Sequence, residues 1–458
     1  MSRSRTELLL LVLLLALPAH AREVARDAHG GVLELGGFYK SVLSGFLLQP
    51  DAVAAARVSA SLLDAAGVKA PALPDGGFLS AHLFRVSSRF RFEDKLELDV
   101  AWQLALSLAS DPAFSGGSAL SGTVGGTGSG ARRRIVEVGG PLAVGSSWRL
   151  DHQLDRLALK LPLPFGDLTI GRQVLSWGTG RVWNPTDVLS PFPPTVIDRE
   201  VRRGFDAVRL AIALGDVTQL DLLYLPQLEP VDNGAVARFQ TNLKGWDASL
   251  SVGKYVRDLV IGADVVGDLG PLGVHAEGAY TLELRGLGTS SVSVGDHFFR
   301  GVIGAEAKPH EKWVLMAEYA YNGFGSTDPR KYAAILSSAR VIRGEIFGAG
   351  AHQAALAASF IASDLLSLSL SVLGNLTDPS AMLIPSLEYS FTQTVLVRAG
   401  GYVPLGRGPD PHVYDGLTAT DVLTNSESYR AAAATRGLRS EYGASSFGAF
   451  VQVGLYVP

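Results

Sequence analysis

Residues 95–108 read KLELDVAWQLALSL, and their chemistry alternates at every position. The odd positions from Lys95 to Gln103 are charged, polar or small, whereas the even positions from Leu96 to Leu108 are apolar. Because a β-strand turns successive side chains to opposite faces, this segment has one charged face and one apolar face. A strand of a soluble sandwich can show the same division, but a membrane β-barrel requires it, since lipid lies outside and water inside.

The alternation recurs along much of the chain. It is clear in four further segments, residues 84–92, 274–285, 313–322 and 366–372. The phase slips near Asp155 and Arg156, which predicts a β-bulge at that point. We therefore predict an all-β fold, a transmembrane antiparallel up-and-down β-barrel.

The start of the chain has the pattern of a secretory signal peptide. Two arginines precede an apolar run at residues 8–17, and residues 19–21 match an A-x-A cleavage site. We assign residues 1–21 to a signal peptide and residues 22–458 to one barrel domain. No later apolar run reaches the roughly 18 residues that a transmembrane helix needs.

Composition narrows the classes of function. The chain contains no cysteine, which excludes disulfides and cysteine metal sites, and its formal net charge of −4 is too near neutrality to indicate nucleic-acid binding. Neither a G-x-S-x-G nor an H-E-x-x-H motif is present, and the nine histidines are scattered. We expect no enzyme activity and no cofactor.

Turn residues divide the chain into about 18 strands whose connections alternate in length. Every second connection is tight, as at residues 93–94 and 215–216, whereas the others are mostly longer, as at residues 110–147 and 404–446. Short periplasmic turns on one rim and long external loops on the other are typical of bacterial outer-membrane barrels.

A few segments leave alternatives open. If residues 235–243 and 246–254 are loop, the barrel has about 16 strands, since closure demands an even count. Residues 49–72 and 431–434 have the composition of short helices within long loops. The glycine-rich tract 125–130 is not followed by the Lys-Ser/Thr pair of a phosphate-binding loop, so we expect a surface loop there.

The third long connection, residues 176–204, differs from the others in composition. It contains Trp177, Trp183, Asn184 and four prolines, and it ends in the charged run at residues 198–203. Prolines stiffen a loop, and bulky aromatic side chains are unfavourable on a wet outer surface. This composition predicts a compact loop that packs against the protein.

In these features the mature chain resembles a Gram-negative outer-membrane porin of a poorly characterised branch. Gly171-Arg172-Gln173 leading into the third long loop is similar to the porin pattern, in which that loop folds into the barrel and narrows it. The resemblance implies an outer-membrane location, contact with outer-membrane lipid and insertion by the barrel-assembly machinery, and it leaves the oligomeric state open. One departure is the terminus Tyr456-Val457-Pro458, where such barrels usually end on an aromatic residue.

Strand parity and the third loop together give a candidate site. We expect residues 176–204 to form a constriction; the alternative is a loop packed on the rim or in a subunit contact. Inward positions are mainly basic on one wall and mainly acidic on the other, which predicts either a transverse field or local ion pairs. The candidate pore-lining and constriction residues are Arg85, Arg89, Arg91, Arg172, Trp177, Trp183, Asn184, Asp187, Arg199, Arg202, Arg203, Arg209, Arg238, Glu277, Glu306 and Glu318.

Two functions follow from this reading. The first is a porin-like channel for passive diffusion of small hydrophilic solutes across the outer membrane. The alternative is a non-conducting barrel that acts as a scaffold, receptor or adhesin through its long loops.

Overall fold

A computed structural model describes seven stretches of the chain, residues 22–26, 31–69, 74–93, 95–114, 134–196, 198–288 and 293–457. The predicted signal peptide and the glycine-rich tract at residues 125–130 lie outside these described residues.

The strands within the described residues are β1 (Arg22–Arg26), β2 (Gly31–Leu47), β3 (Gly76–Phe92), β4 (Leu96–Ala109), β5 (Gly139–Val144), β6 (Trp148–Leu163), β7 (Gly166–Gln173), β8 (Phe205–Ala213), β9 (Thr218–Leu225), β10 (Gly234–Leu243), β11 (Trp246–Tyr255), β12 (Asp258–Leu269), β13 (Leu272–Arg285), β14 (Ser293–His310), β15 (Trp313–Asn322), β16 (His352–Ser363), β17 (Leu366–Asn375), β18 (Ser380–Thr392), β19 (Val395–Leu405) and β20 (Phe447–Val457). All of these except β1 and β5 form a closed antiparallel barrel, in which β2 pairs with β3 on one edge and with β20 on the other. The eighteen-strand barrel predicted from the sequence is therefore confirmed.

The strand count depends on residues 235–243 and 246–254, which the sequence left open as either strand or loop. β10 and β11 pair in register from Ala235 with Lys254 to Leu243 with Trp246, so the sixteen-strand alternative is wrong. The predicted bulge is also present, because Ala101 pairs with Arg156 and Trp102 with Leu154, which skips Asp155. The extra residue lets both Asp155 and Arg156 point into the barrel.

The two additional strands extend the wall. β1 pairs with residues 32–35 of β2, beyond the end of β20. β5 pairs with residues 149–153 of β6, while β7 pairs with residues 157–163, so β5 continues the wall where β7 stops. Neither strand has the strict alternation from which the others were predicted.

Short helices occur in the external loops. They are α1 (Pro50–Ala65), α2 (Tyr332–Leu336), α3 (Ala339–Ile342), α4 (Ala419–Leu423) and α5 (Glu427–Thr435). α1 and α5 confirm the helices predicted within residues 49–72 and around residues 431–434. Among the described residues, no helix has both the length and the apolar character needed to cross a membrane.

The outer face of the barrel is apolar. Trp102 is 40% exposed, although its neighbours Ala101 and Gln103 are only 2% and 7% exposed. Leu250 and Ile303, near the middle of their strands, are 59% and 60% exposed. Apolar surface of this extent is unfavourable in water but suits contact with lipid.

This orientation can be tested on neighbouring residues of β16. Leu356 faces outward and Ala357 lines the interior, so Leu356→Arg places a charge in lipid. We expect this variant to lose about 2–4 kcal/mol of folding free energy, whereas Ala357→Arg loses much less. Urea unfolding in lipid vesicles, followed by the heat-dependent gel shift of the barrel, measures the difference. Equal losses for the two variants would contradict the assigned faces.

Candidate functional site

Residues 174–204 are here called the inner loop, and its described residues, 174–196 and 198–204, lie inside the barrel. Trp177, Val188 and Leu189 join a buried apolar cluster with residues of β8–β13. Val182 and Trp183 join a second cluster with residues of β14–β18. The loop therefore spans the lumen and fixes itself to the wall through two separate apolar contacts.

Glu277 on β13 holds the first half of the inner loop. Its Oε2 accepts the N–H groups of Thr179 at 2.8 Å and Gly180 at 3.1 Å. Its Oε1 accepts the N–H and the hydroxyl of Thr186 at 2.6 Å and 2.8 Å. Gly178 permits this approach, because its φ is +89° and a Cβ there would lie 2.7 Å from Glu277 Oε2.

Glu318 on β15 makes an equivalent contact with the next turn. Its carboxylate accepts the N–H of Arg181 at 2.7 Å, of Trp183 at 2.9 Å and of Val182 at 3.1 Å. His275 Nε2 lies 3.0 Å from the same carboxylate. Two buried carboxylates on the wall thus satisfy backbone donors that would otherwise be unpaired in the interior.

Ion pairs fix the far end of the inner loop to the opposite wall. Lys40 Nζ on β2 lies 2.6 Å from Asp198 Oδ2 and 2.8 Å from Glu200 Oε2. Arg398 on β19 lies 3.0 Å from Glu200, and Gln452 on β20 donates to Asp198 at 2.8 Å. Burial alone would raise the pKa of Asp198, but Lys40 and Gln452 lower it below the ordinary value, so the carboxylate is ionised at neutral pH.

Most of the inward arginines proposed from the sequence have an acidic partner close by. The pairs are Arg85 with Asp155, Arg89 with Asp99, Arg91 with Glu34, Arg172 with Asp206, Arg202 with Asp187, Arg209 with Asp221 and Arg238 with Asp264. These contacts correspond to the local-pairing alternative, and they weaken any transverse field between a basic and an acidic wall.

The remaining candidates lie in or against the inner loop. Trp177 and Trp183 are 5% and 8% exposed and so are packing residues. Arg199 is exposed, and its guanidinium donates to the carbonyls of Arg181 at 2.6 Å and Pro194 at 3.1 Å. Glu306 pairs with the side chain of Arg181. The last two candidates contribute backbone acceptors: the Asn184 carbonyl accepts the Asp187 N–H, and the Arg203 carbonyl accepts the Ser190 hydroxyl.

A gap remains between the inner loop and the wall formed by β15–β19. It has a volume of about 310 Å³. The inner loop contributes Arg181, Pro194, Thr195 and Arg199 to its lining. The barrel wall contributes a set of serines, Ser359, Ser367, Ser369, Ser371 and Ser386. We call this gap the passage.

Sequence reasoning missed several residues of this site. Lys40 and Asp198 were not recognised, because nothing local indicates that residues so distant in sequence meet. Arg181 lay within the proposed constriction loop but was not singled out. The alternation of Ser367, Ser369 and Ser371 with leucines was visible and correctly indicated an inward face.

Comparison with solved structures supports the architecture. OccK5 (OpdH) of Pseudomonas aeruginosa is 7% identical and aligns over 93% of this chain and 98% of that chain, with a TM-score of 0.51. OccAB3 of Acinetobacter baumannii is 9% identical, with the same coverage and TM-score. A triple mutant of the porin of Rhodopseudomonas blastica is 11% identical over 93% of this chain and 99% of that chain, with a TM-score of 0.40. No protein-family model and no curated protein matches the sequence. The two Occ structures show that this chain has the fold of porin-like outer-membrane barrels.

Proposed function

We propose that this protein is an outer-membrane channel for passive diffusion of small hydrophilic solutes, and that the passage is its constriction. The observation that carries the proposal is the polar gap between the inner loop and the β15–β19 wall. On the β8–β13 side the loop packs through buried apolar side chains, and Val182 and Trp183 pack it against β14–β18 beside the gap. The polar route for water through the barrel therefore runs along the serines of the passage.

Delivery to the outer membrane follows from the same proposal. We infer from the long loops on one rim and the short turns on the other that β2 rises from the periplasm, and we propose that residues 1–21 are a cleaved signal peptide. N-terminal sequencing of protein extracted from outer membranes should then begin at Arg22. Recovery of the uncleaved chain from the inner membrane would contradict this assignment.

A matched pair of variants tests the route. Ser369 faces the passage, and its neighbour Leu370 is 46% exposed on the outer face. We expect Ser369→Trp to reduce the single-channel conductance by about half or more, because the added ring fills the gap. Leu370→Trp places the same ring in lipid and should leave conductance unchanged. Planar-bilayer recordings measure both.

One observation favours the alternative, a non-conducting scaffold, receptor or adhesin. The inner loop is bound to opposite walls of the barrel by Glu277, Glu318 and Lys40, so little of the lumen at that level is open. A purified barrel that folds correctly in planar bilayers but stays electrically silent would support this alternative. In that case the external loops, with α1, α4 and α5, become the functional surface.

A further inference from the structure

The serines of the passage form a continuous patch. Register pairs Ser359 with Ser369 and Ser369 with Ser386 across three neighbouring strands, and the hydroxyls of Ser359 and Ser369 lie 3.1 Å apart. Ser367 and Ser371 flank Ser369 along β17, and strand geometry gives a spacing of about 13 Å between these two. The patch is therefore a cross of hydroxyls centred on Ser369.

Charges around the passage nearly cancel. Among the described residues that line the passage or belong to the ion pairs connected to it, four cations (Lys40, Arg181, Arg199 and Arg398) are matched by four carboxylates (Asp198, Glu200, Glu306 and Glu388). Opposite charges a few ångströms apart leave only a weak field for an ion in a salt solution. We therefore do not expect the passage to select solutes by charge alone.

We infer that the passage selects uncharged solutes that carry several hydroxyl groups, such as sugar alcohols and small sugars. This inference rests on the proposed channel function and names its solute class. A serine hydroxyl both donates and accepts, so the patch can replace water around successive hydroxyls of a polyol as it moves. The passage, with a volume of about 310 Å³, has room for one small polyol.

Neighbouring arginines add hydrogen-bond donors to the same surface without changing its net charge. Arg398 is paired with Glu388 and Glu200, and Arg181 with Glu306, so each guanidinium is neutralised beside the serines. A neutral polyol can accept hydrogen bonds from such groups at no electrostatic penalty. An ion would instead have to compete with the carboxylate or guanidinium group that already forms the ion pair.

The inference can be tested by solute uptake into liposomes that contain the purified full chain. Sorbitol is compared with tetraethylene glycol, which is uncharged and similar in mass but has fewer hydroxyl groups. The test variant is the triple replacement Ser367→Ala/Ser369→Ala/Ser371→Ala. We expect the ratio of the sorbitol uptake rate to the glycol uptake rate to fall about fivefold in this variant. One neutral hydrogen bond changes an equilibrium constant by about that factor. The control, Ser87→Ala/Ser107→Ala, alters inward serines of β3 and β4 and should leave the ratio unchanged.

The possible outcomes separate this inference from the proposed function. An unchanged ratio in the triple variant, with normal conductance, would overturn the solute class and leave the channel intact. A reversal potential that shows strong preference for K⁺ or Cl⁻ in the wild type would do the same. A folded barrel that passes neither ions nor solutes would instead overturn the channel function itself.

Discussion

Deletion of residues 178–200 should raise the single-channel conductance about threefold or more. The deleted segment contains most of the inner-loop atoms that cross the lumen, including the turns bound by Glu277 and Glu318. Barrels of 16–18 strands leave an aqueous channel when nothing fills them. We therefore expect this loop, rather than the wall, to limit the conductance of the proposed channel.

A second deletion gives the matched control. Removal of residues 417–435 takes away the external helices α4 and α5 and leaves every residue of the inner loop in place. Conductance should stay within the variation of the wild type, and the heat-dependent gel shift shows that both variants are folded. If the two deletions change conductance equally, the inner loop does not set the limit.

Replacement of Glu318 by Leu should release the middle of the inner loop. The carboxylate accepts three backbone N–H groups, and Leu leaves these donors buried without a partner. Breaking buried charged contacts of this kind costs about 3–5 kcal/mol. We expect faster proteolysis within residues 181–183 and noisier single-channel currents.

Two further variants show whether the inner loop is held by the hydrogen-bond acceptor at position 318. Glu318→Gln keeps one carbonyl oxygen and should restore part of the protection. Glu306→Gln removes a half-buried partner of the exposed Arg181, and exposed pairs contribute about 1 kcal/mol or less, so currents should remain quiet. Wild-type protection and quiet currents in Glu318→Leu would show that the middle of the inner loop is held without this carboxylate, through the apolar contacts of Trp183 and the other attachments of the loop.

The barrel was predictable because side-chain parity is a local property. Each strand carries its own alternation, and Gly or charged residues mark most of the tight turns, so eighteen strands follow without knowledge of the partners. β5 was missed because Gly139, Gly140 and Pro141 interrupt any alternation. A bulge between Pro141 and Ala143 then makes its pairing irregular as well.

The site was less predictable, because it depends on contacts between distant residues. Parity correctly placed Glu277 and Glu318 inside, but their partners are backbone N–H groups, which have no sequence signature. Thr179 and Glu277 are separated by 98 positions, and Lys40 and Asp198 by 158. Composition indicated that the third loop is compact, but only the fold shows which side of it stays open.

Cysteine accessibility tests whether water passes between the inner loop and β15–β19, because the chain contains no cysteine of its own. A single cysteine is placed at Ser369 in the passage, or at Ser249, which is 9% exposed on the opposite wall. A charged, water-soluble thiol reagent is then added during planar-bilayer recording. We expect rapid block of Ser369→Cys and no block of Ser249→Cys. Block at Ser249 alone, or at neither position in a conducting barrel, would contradict a water path between the inner loop and β15–β19.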